Sequence, residues 1–168
     1  MKTTPILTAI VSGCLALGAV AARAAVLEPG QPLPMTSVPG SAGSVALVDG
    51  KARATYIDFW ASWCGPCRQS FPWMNRMQAK FGPQGLRIVA VNLDAKRPDA
   101  QAFLSEIPAS FELGFDVGGA AAKQFGVKTM PSSVLVGADG KVIAIHQGFR
   151  KEDETELEGR IAAALGRP

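Results

Sequence analysis

Tyr56-Ile57-Asp58-Phe59-Trp60-Ala61-Ser62-Trp63-Cys64-Gly65-Pro66-Cys67 decides the fold of this chain. It reads as an apolar strand, Ala54 to Trp60, that ends in a short turn and delivers a Cys-x-x-Cys pair to the start of a helix expected over about 65–81. At that place the unpaired amides and the positive end of the helix dipole favour an anionic sulfur, so Cys64 is expected to be the attacking thiolate. Cys67, one turn further in, can then reach a mixed disulfide formed at Cys64 and resolve it. Other uses of two cysteines fit less well. A structural bridge across so short a loop constrains the unfolded chain little. A zinc site takes four ligands, and beyond Cys14 the chain offers these two cysteines and a single histidine, His146. Covalent haem attachment needs a histidine after the second cysteine, where Arg68 stands.

Outward from this stretch, compact apolar runs alternate with helical patterns, which predicts an α/β sheet. Val45 to Val48 is the first such run, and Leu86 to Leu93, nearly all apolar, suits a central strand covered on both faces. The helix after the cysteines carries Pro72 inside it and stops at Gly82-Pro83. A short helix is expected from Pro98 to Ile107, a short strand at Phe111 to Phe115 and helical residues from Gly119 to Phe125. Ser133–Val136 and Lys141–Gln147 flank Ala138-Asp139-Gly140, whose Asp-Gly pair predicts an antiparallel hairpin. Leu157, Ile161 and Leu165 recur every four residues and mark the buried face of a last helix over about 151–165.

The chain has 168 residues, 48% of them hydrophobic, enough for one domain with its own core. Three domain segments are expected: 1–24 as an export signal, 25–44 as an irregular lead-in, rich in Pro, Gly and Ser, that drapes over the domain, and 45–168 as the folded domain. Lys2, the apolar stretch Ile6 to Val20 and Ala22-Arg23-Ala24 have the order of a cleavable signal peptide. Val11-Ser12-Gly13-Cys14 also resembles a lipobox, so a lipid anchor through Cys14 stands as the second reading. Either places the domain in an oxidising compartment, the periplasm, where disulfides persist. The formal net charge of +3 falls close to neutral without Lys2 and Arg23, which argues against a nucleic-acid partner.

Asp58 to Cys67 resembles the active-site strand and turn of thioredoxin, and the exported setting resembles the TlpA/ResA family of periplasmic thiol-disulfide oxidoreductases. Pro72, Thr129-Met130-Pro131 before the hairpin and Gly148-Phe149-Arg150 before the last helix support the resemblance, which covers most of 45–165. It implies a thioredoxin-like fold: a mixed central sheet with helices on both faces, closed by the antiparallel hairpin and a helix. It also implies that Pro131 is cis and faces the cysteine pair, that the backbone of Met130 binds an extended substrate segment, and that Gly65-Pro66 form the active-site turn. Asp58 matches a buried aspartate that helps to move the proton of the second cysteine. Burial would raise its pKa, whereas a strand-end aspartate would reach solvent. Trp63 is read as a partly exposed rim of the substrate site, with core packing as its alternative. His146, with alternating neighbours, is read as a sheet-face or surface residue without a role.

One departure from the TlpA/ResA pattern is clear. An acidic residue commonly stands between the CxxC and the helix proline, and Arg68-Gln69-Ser70-Phe71-Pro72 puts Ser70 there. A carboxylate role then falls to Asp58, and the tie to cytochrome c biogenesis is weakened. The resulting expectation is a reductase of disulfides in exported proteins, with no cofactor beyond the Cys64–Cys67 pair and a membrane thiol transporter of the DsbD/CcdA kind as electron donor. Gly65-Pro66 is the thioredoxin dipeptide, at about −270 mV against about −120 mV for the oxidant DsbA, which favours the reducing direction. A disulfide oxidase or isomerase, and a Cu(I)-handling protein with Met130 as a soft third ligand, are the alternatives.

Overall fold

The computed structural model describes residues 27–166, so the export signal and Cys14 lie outside the described residues. Seven strands and four helices follow in the order β1 (Ser37–Pro39), β2 (Ser44–Ala46), β3 (Ala54–Trp60), α1 (Cys67–Phe81), β4 (Leu86–Asn92), α2 (Arg97–Glu106), β5 (Glu112–Phe115), α3 (Ala120–Gln124), β6 (Ser132–Gly137), β7 (Val142–Gln147) and α4 (Glu154–Leu165). Five of the strands form one mixed sheet in the order β5-β4-β3-β6-β7. β3 and β4, and β4 and β5, run parallel, whereas β6 is antiparallel to both β3 and β7. This is the thioredoxin-like arrangement expected from the sequence.

All seven residues of β3 are buried, because it is the central strand and both of its faces are covered. Alternate side chains therefore enter two cores. Ala54, Tyr56 and Trp60 join Phe71, Trp73 and Met74 of α1 and Leu157 and Ile161 of α4 on one face. Ile57 and Phe59 join Val89, Val91, Phe125 and Val38 on the other. The period of two assigns Asp58 to the first face, the one packed by α1. The predicted hairpin forms between β6 and β7, with Gly140 at φ 75°, a value open to glycine at no steric cost.

The segment expected to be an irregular lead-in is ordered into the domain. Gly30 donates its N–H to Val142 O at 2.8 Å, Val142 returns one to Gln31 O at 2.9 Å, and Leu33 bonds Gly140 O, so 30–33 lies along the start of β7. The chain then crosses the sheet and turns at Gly40–Gly43 between β1 and β2, with Gly40 bridging Gly114 of β5. Leu27, Val38 and Leu47 are buried in the second core. Val45 to Val48 is accordingly not a strand of the main sheet. Its first residues pair with β1 in a separate two-stranded ribbon. Composition hid these strands because each is three residues long and bounded by Pro, Gly or Ser, too short for a period to show. The strap covers part of both outer edges of the sheet, which would otherwise offer unpaired main-chain groups to other chains.

Arg87 fixes the crossing. Its guanidinium donates to both carboxylate oxygens of Glu112 at 2.6 Å and to the carbonyl of Ala46 at 2.6 Å, tying β4, β5 and β2 together. That bidentate fork, reinforced by the Glu112 charge, holds the Arg87 pKa above its ordinary value.

Candidate active site

β3 ends at Trp60, and the chain turns through Ala61, Ser62 and Trp63 before α1 begins at Cys67, two residues later than expected. Under the turn lies an aromatic floor: Trp60 packs on Phe71 and Phe103 with ring centres 4.7 and 4.8 Å away. Above it the two cysteines are joined, with Cα atoms 5.3 Å apart. Cys64 is 4% exposed and Cys67 fully buried, so an incoming sulfur can reach only the first. The N–H of Cys67 donates to Cys64 Sγ at 3.2 Å. It is one of the amides that the first helical turn leaves without an intrahelical partner, and it is aimed at the sulfur that the sequence reading expects to carry negative charge as a thiolate.

Ser70 is buried and returns its hydroxyl to the carbonyl of Cys67 at 3.2 Å, so the residue in place of the familiar acid makes a helix contact instead. The buried carboxyl group beneath the pair's helix is Asp58, 2% exposed, with Oδ2 lacking any hydrogen-bond partner in the protein. Removal from water holds its pKa well above the carboxylate range. The solvent-facing alternative for this residue is therefore excluded. Tyr56, two residues earlier on the same face, is likewise raised by burial and by the Asp58 charge, with an opposing hydrogen bond to Ser133.

A groove opens beside Cys64, lined by Trp63, Cys64, Gly65 and Pro66 on one side and Lys128, Thr129 and Met130 on the other. Trp63 is 71% exposed, more than the partial exposure expected of a rim, and packing is ruled out as its main task. The Met130–Pro131 bond is cis. Ser132 Oγ bonds Thr129 O at 2.7 Å and Gly148 N bonds Pro131 O at 2.7 Å, which pins this loop against the start of β7's successor turn. The fold thus gathers Cys64, Cys67, Trp63, Gly65, Pro66 and Met130 at the end of the sheet where β3 stops and β6 starts, with Pro131 buried at the foot of the loop and Asp58 below in the core.

Sequence reasoning missed the group that holds the turn. Asp94, 3% exposed, accepts the N–H of Ser62 at 3.0 and 3.1 Å and its hydroxyl at 2.9 Å, while Asn92 Nδ2 donates to Oδ2 at 2.7 Å. Leu93 adds a bond from its N–H to Trp60 O at 2.8 Å. The available signal was two polar residues, Asn92 and Asp94, closing a run that is otherwise apolar. His146 sits on the sheet face as expected, with Nε2 3.4 Å from Asp153 Oδ2. Among the described residues no cluster of three or more His, Cys, Asp or Glu side chains is placed to hold a metal, and no helix is long and apolar enough to cross a membrane.

Comparison with known proteins agrees with this geometry. The family model for redoxins matches residues 28–161. The thiol-disulfide oxidoreductase ResA of Bacillus thuringiensis subsp. konkukian (strain 97-27) is 31% identical over 112 residues, 67% of this chain and 65% of that protein. The match thus spans just under two thirds of that relative's length. Among solved structures, a candidate thiol:disulfide interchange protein DsbE of Chlorobium tepidum is 52% identical, with a TM-score of 0.80 over 83% of this chain and 99% of that one. The thioredoxin domain of a thiol-disulfide oxidoreductase of Bacteroides vulgatus shares the fold at 23% identity, with a TM-score of 0.70 over 80% of this chain and 99% of that one.

Proposed function

Since the chain belongs to the redoxin family, we propose that it is an exported thiol-disulfide oxidoreductase which reduces disulfides of periplasmic client proteins through Cys64 and Cys67. The observation that carries the reading is the asymmetry of the pair: one sulfur at a groove and under an amide donor, the other buried behind it.

In the reduced protein the Cys64 thiolate attacks one sulfur of the client disulfide. A Cys64–client bond forms, the client S–S bond breaks, and the leaving thiolate takes up a proton. Cys67 then gives its proton to Asp58, and its thiolate attacks Cys64 Sγ. The Cys64–Cys67 bond closes, the Cys64–client bond breaks, and the second client sulfur leaves as a thiolate that takes up the proton released again by Asp58, two electrons having passed from the dithiol to the client. Asp58 suits the proton step because burial and the lack of a partner on Oδ2 make its carboxylate a stronger base than an exposed one. During the exchange, the groove holds an extended client segment against the free main chain of Met130, and Trp63 shields one side of the reacting sulfurs.

The reaction uses no cofactor beyond the cysteine pair. Recharging requires an external dithiol, and a membrane thiol transporter of the DsbD/CcdA kind is the donor we assign. A cleaved N-terminal signal delivers the domain, with Cys14 lipidation as the alternative anchorage.

Two measurements test this. Cys67→Ser is expected to accumulate a mixed disulfide with a peptide substrate, visible as an added mass that reductant removes, and Cys64→Ser is expected to form none. Equilibration of the pair against dithiol buffers is expected to give a potential near the thioredoxin end of the scale, about −270 mV. A value near −120 mV would mean that the protein donates disulfides, overturning the direction of the reaction.

A further inference from the structure

The groove beside Cys64 has a charge character of its own. Of its lining residues only Lys128 is charged, and no carboxylate faces it. The neighbouring cation at the cysteine pair is already engaged, for Arg68 is paired with Glu106 and lies over the Phe103 ring at 5.3 Å. Lys128 is exposed and, among the described residues, forms no ion pair, while Arg76, Lys80, Arg87 and Arg160 all do. The loop that carries it is fixed at Thr129 and Pro131, so its position relative to Cys64 is set by the fold. Opposite stands Trp63, one of only two large hydrophobic side chains left exposed among the described residues.

An extended segment rises about 3.3 Å per residue, so on a strand laid along 128–130 the position opposite Lys128 lies two residues from the position opposite Met130, in the groove that Cys64 also lines. We propose that the groove selects client segments in which an acidic residue lies two or three positions from the reacting cysteine, with Lys128 as the specificity-determining cation. This rests on the oxidoreductase reading and adds the class of substrate to it. An acidic client segment gains a counter-charge and a faster encounter, while a basic one meets repulsion in the same place. Trp63 contributes contact area for an apolar neighbour without distinguishing charge.

The test uses the purified, reduced protein and three peptides, each with one cysteine in a mixed disulfide to mercaptoethanol. They differ only in carrying Asp, Ser or Lys two and three positions from that cysteine. Oxidation of the Cys64–Cys67 pair is followed by stopped-flow tryptophan fluorescence at low salt. The expected order is Asp, then Ser, then Lys, with about fivefold between the extremes. Lys128→Glu is expected to reverse the order, 0.5 M salt to flatten it, and Lys51→Glu, in the loop before β3, to keep it. Equal rates for the three peptides, or an equal shift from Lys51→Glu and Lys128→Glu, would overturn the proposal while leaving the reductase reading in place. Failure to reduce even the Ser peptide would overturn that reading and the proposal together.

Discussion

Asp94 accepts both the main-chain N–H and the hydroxyl of Ser62, thirty-two residues before it in sequence and two before Cys64. A carboxylate at the end of β4 thus sets the turn at the end of β3. Asp94→Ala would leave the Ser62 amide and the Asn92 side chain without their acceptor in a buried place. The expected cost is about 1–3 kcal/mol, read as a lower urea midpoint with an unchanged m-value. The rate of Cys64 alkylation in the reduced variant is also expected to change, since the amide at Cys67 no longer meets a fixed sulfur.

The pH dependence of stability should report on Asp58. Its folded-state pKa is raised by burial, so its contribution is complete below the unfolded carboxylate value of about 3.9 and is lost as pH rises through the folded value. Asp58→Asn keeps the shape and removes the titration. The variant is expected to be more stable than the parent at pH 8, with the difference shrinking as pH falls toward 4. A constant difference across that range, in paired urea titrations of the oxidised proteins, would count against a buried, titrating Asp58.

The same substitution should slow turnover. If Asp58 takes the proton of Cys67, Asp58→Asn is expected to reduce the rate of resolving the mixed disulfide by about tenfold or more, with little effect on its formation at Cys64. Single-turnover kinetics with a peptide disulfide separate the two steps.

Gly114 tests the strap over the sheet. A Cβ there would stand 2.4 Å from Val38 Cγ2, far inside van der Waals contact. Gly114→Ala is expected to cost about 1–3 kcal/mol, and Val38→Ala in the same chain to recover part of that loss, since the smaller side chain removes the collision. Thermal melts of the two single variants and the double variant give the coupling.

The central sheet and the cysteine pair were legible in the sequence because each leaves a strong local mark: seven buried residues in β3, an Asp-Gly turn at 139–140, and two cysteines three apart. Elements whose logic is non-local were not legible. Val38 reads as an isolated valine among Pro, Gly and Ser until the fold places it on Gly114, and Asp94 reads as a loop aspartate until Ser62 is brought to it. Lys128 is one of many surface lysines in sequence, and only the groove shows that no carboxylate shares its side of Cys64. Asp58 was half legible: its place in a mostly apolar strand and the resemblance pointed to burial, but the solvent-reaching alternative was closed only by the fold, which covers both faces of β3.

The strap has one more consequence, for how the molecule can be held. Residues 30–33 run beside Gly140 and Val142, at the turn between β6 and β7, whereas Cys64 lies at the opposite pole, where β6 begins. Anything joined ahead of the strap is therefore fastened to the blunt end of the domain. A support or a fused reporter attached on that side would leave the pole that carries Cys64 turned outward and unobstructed.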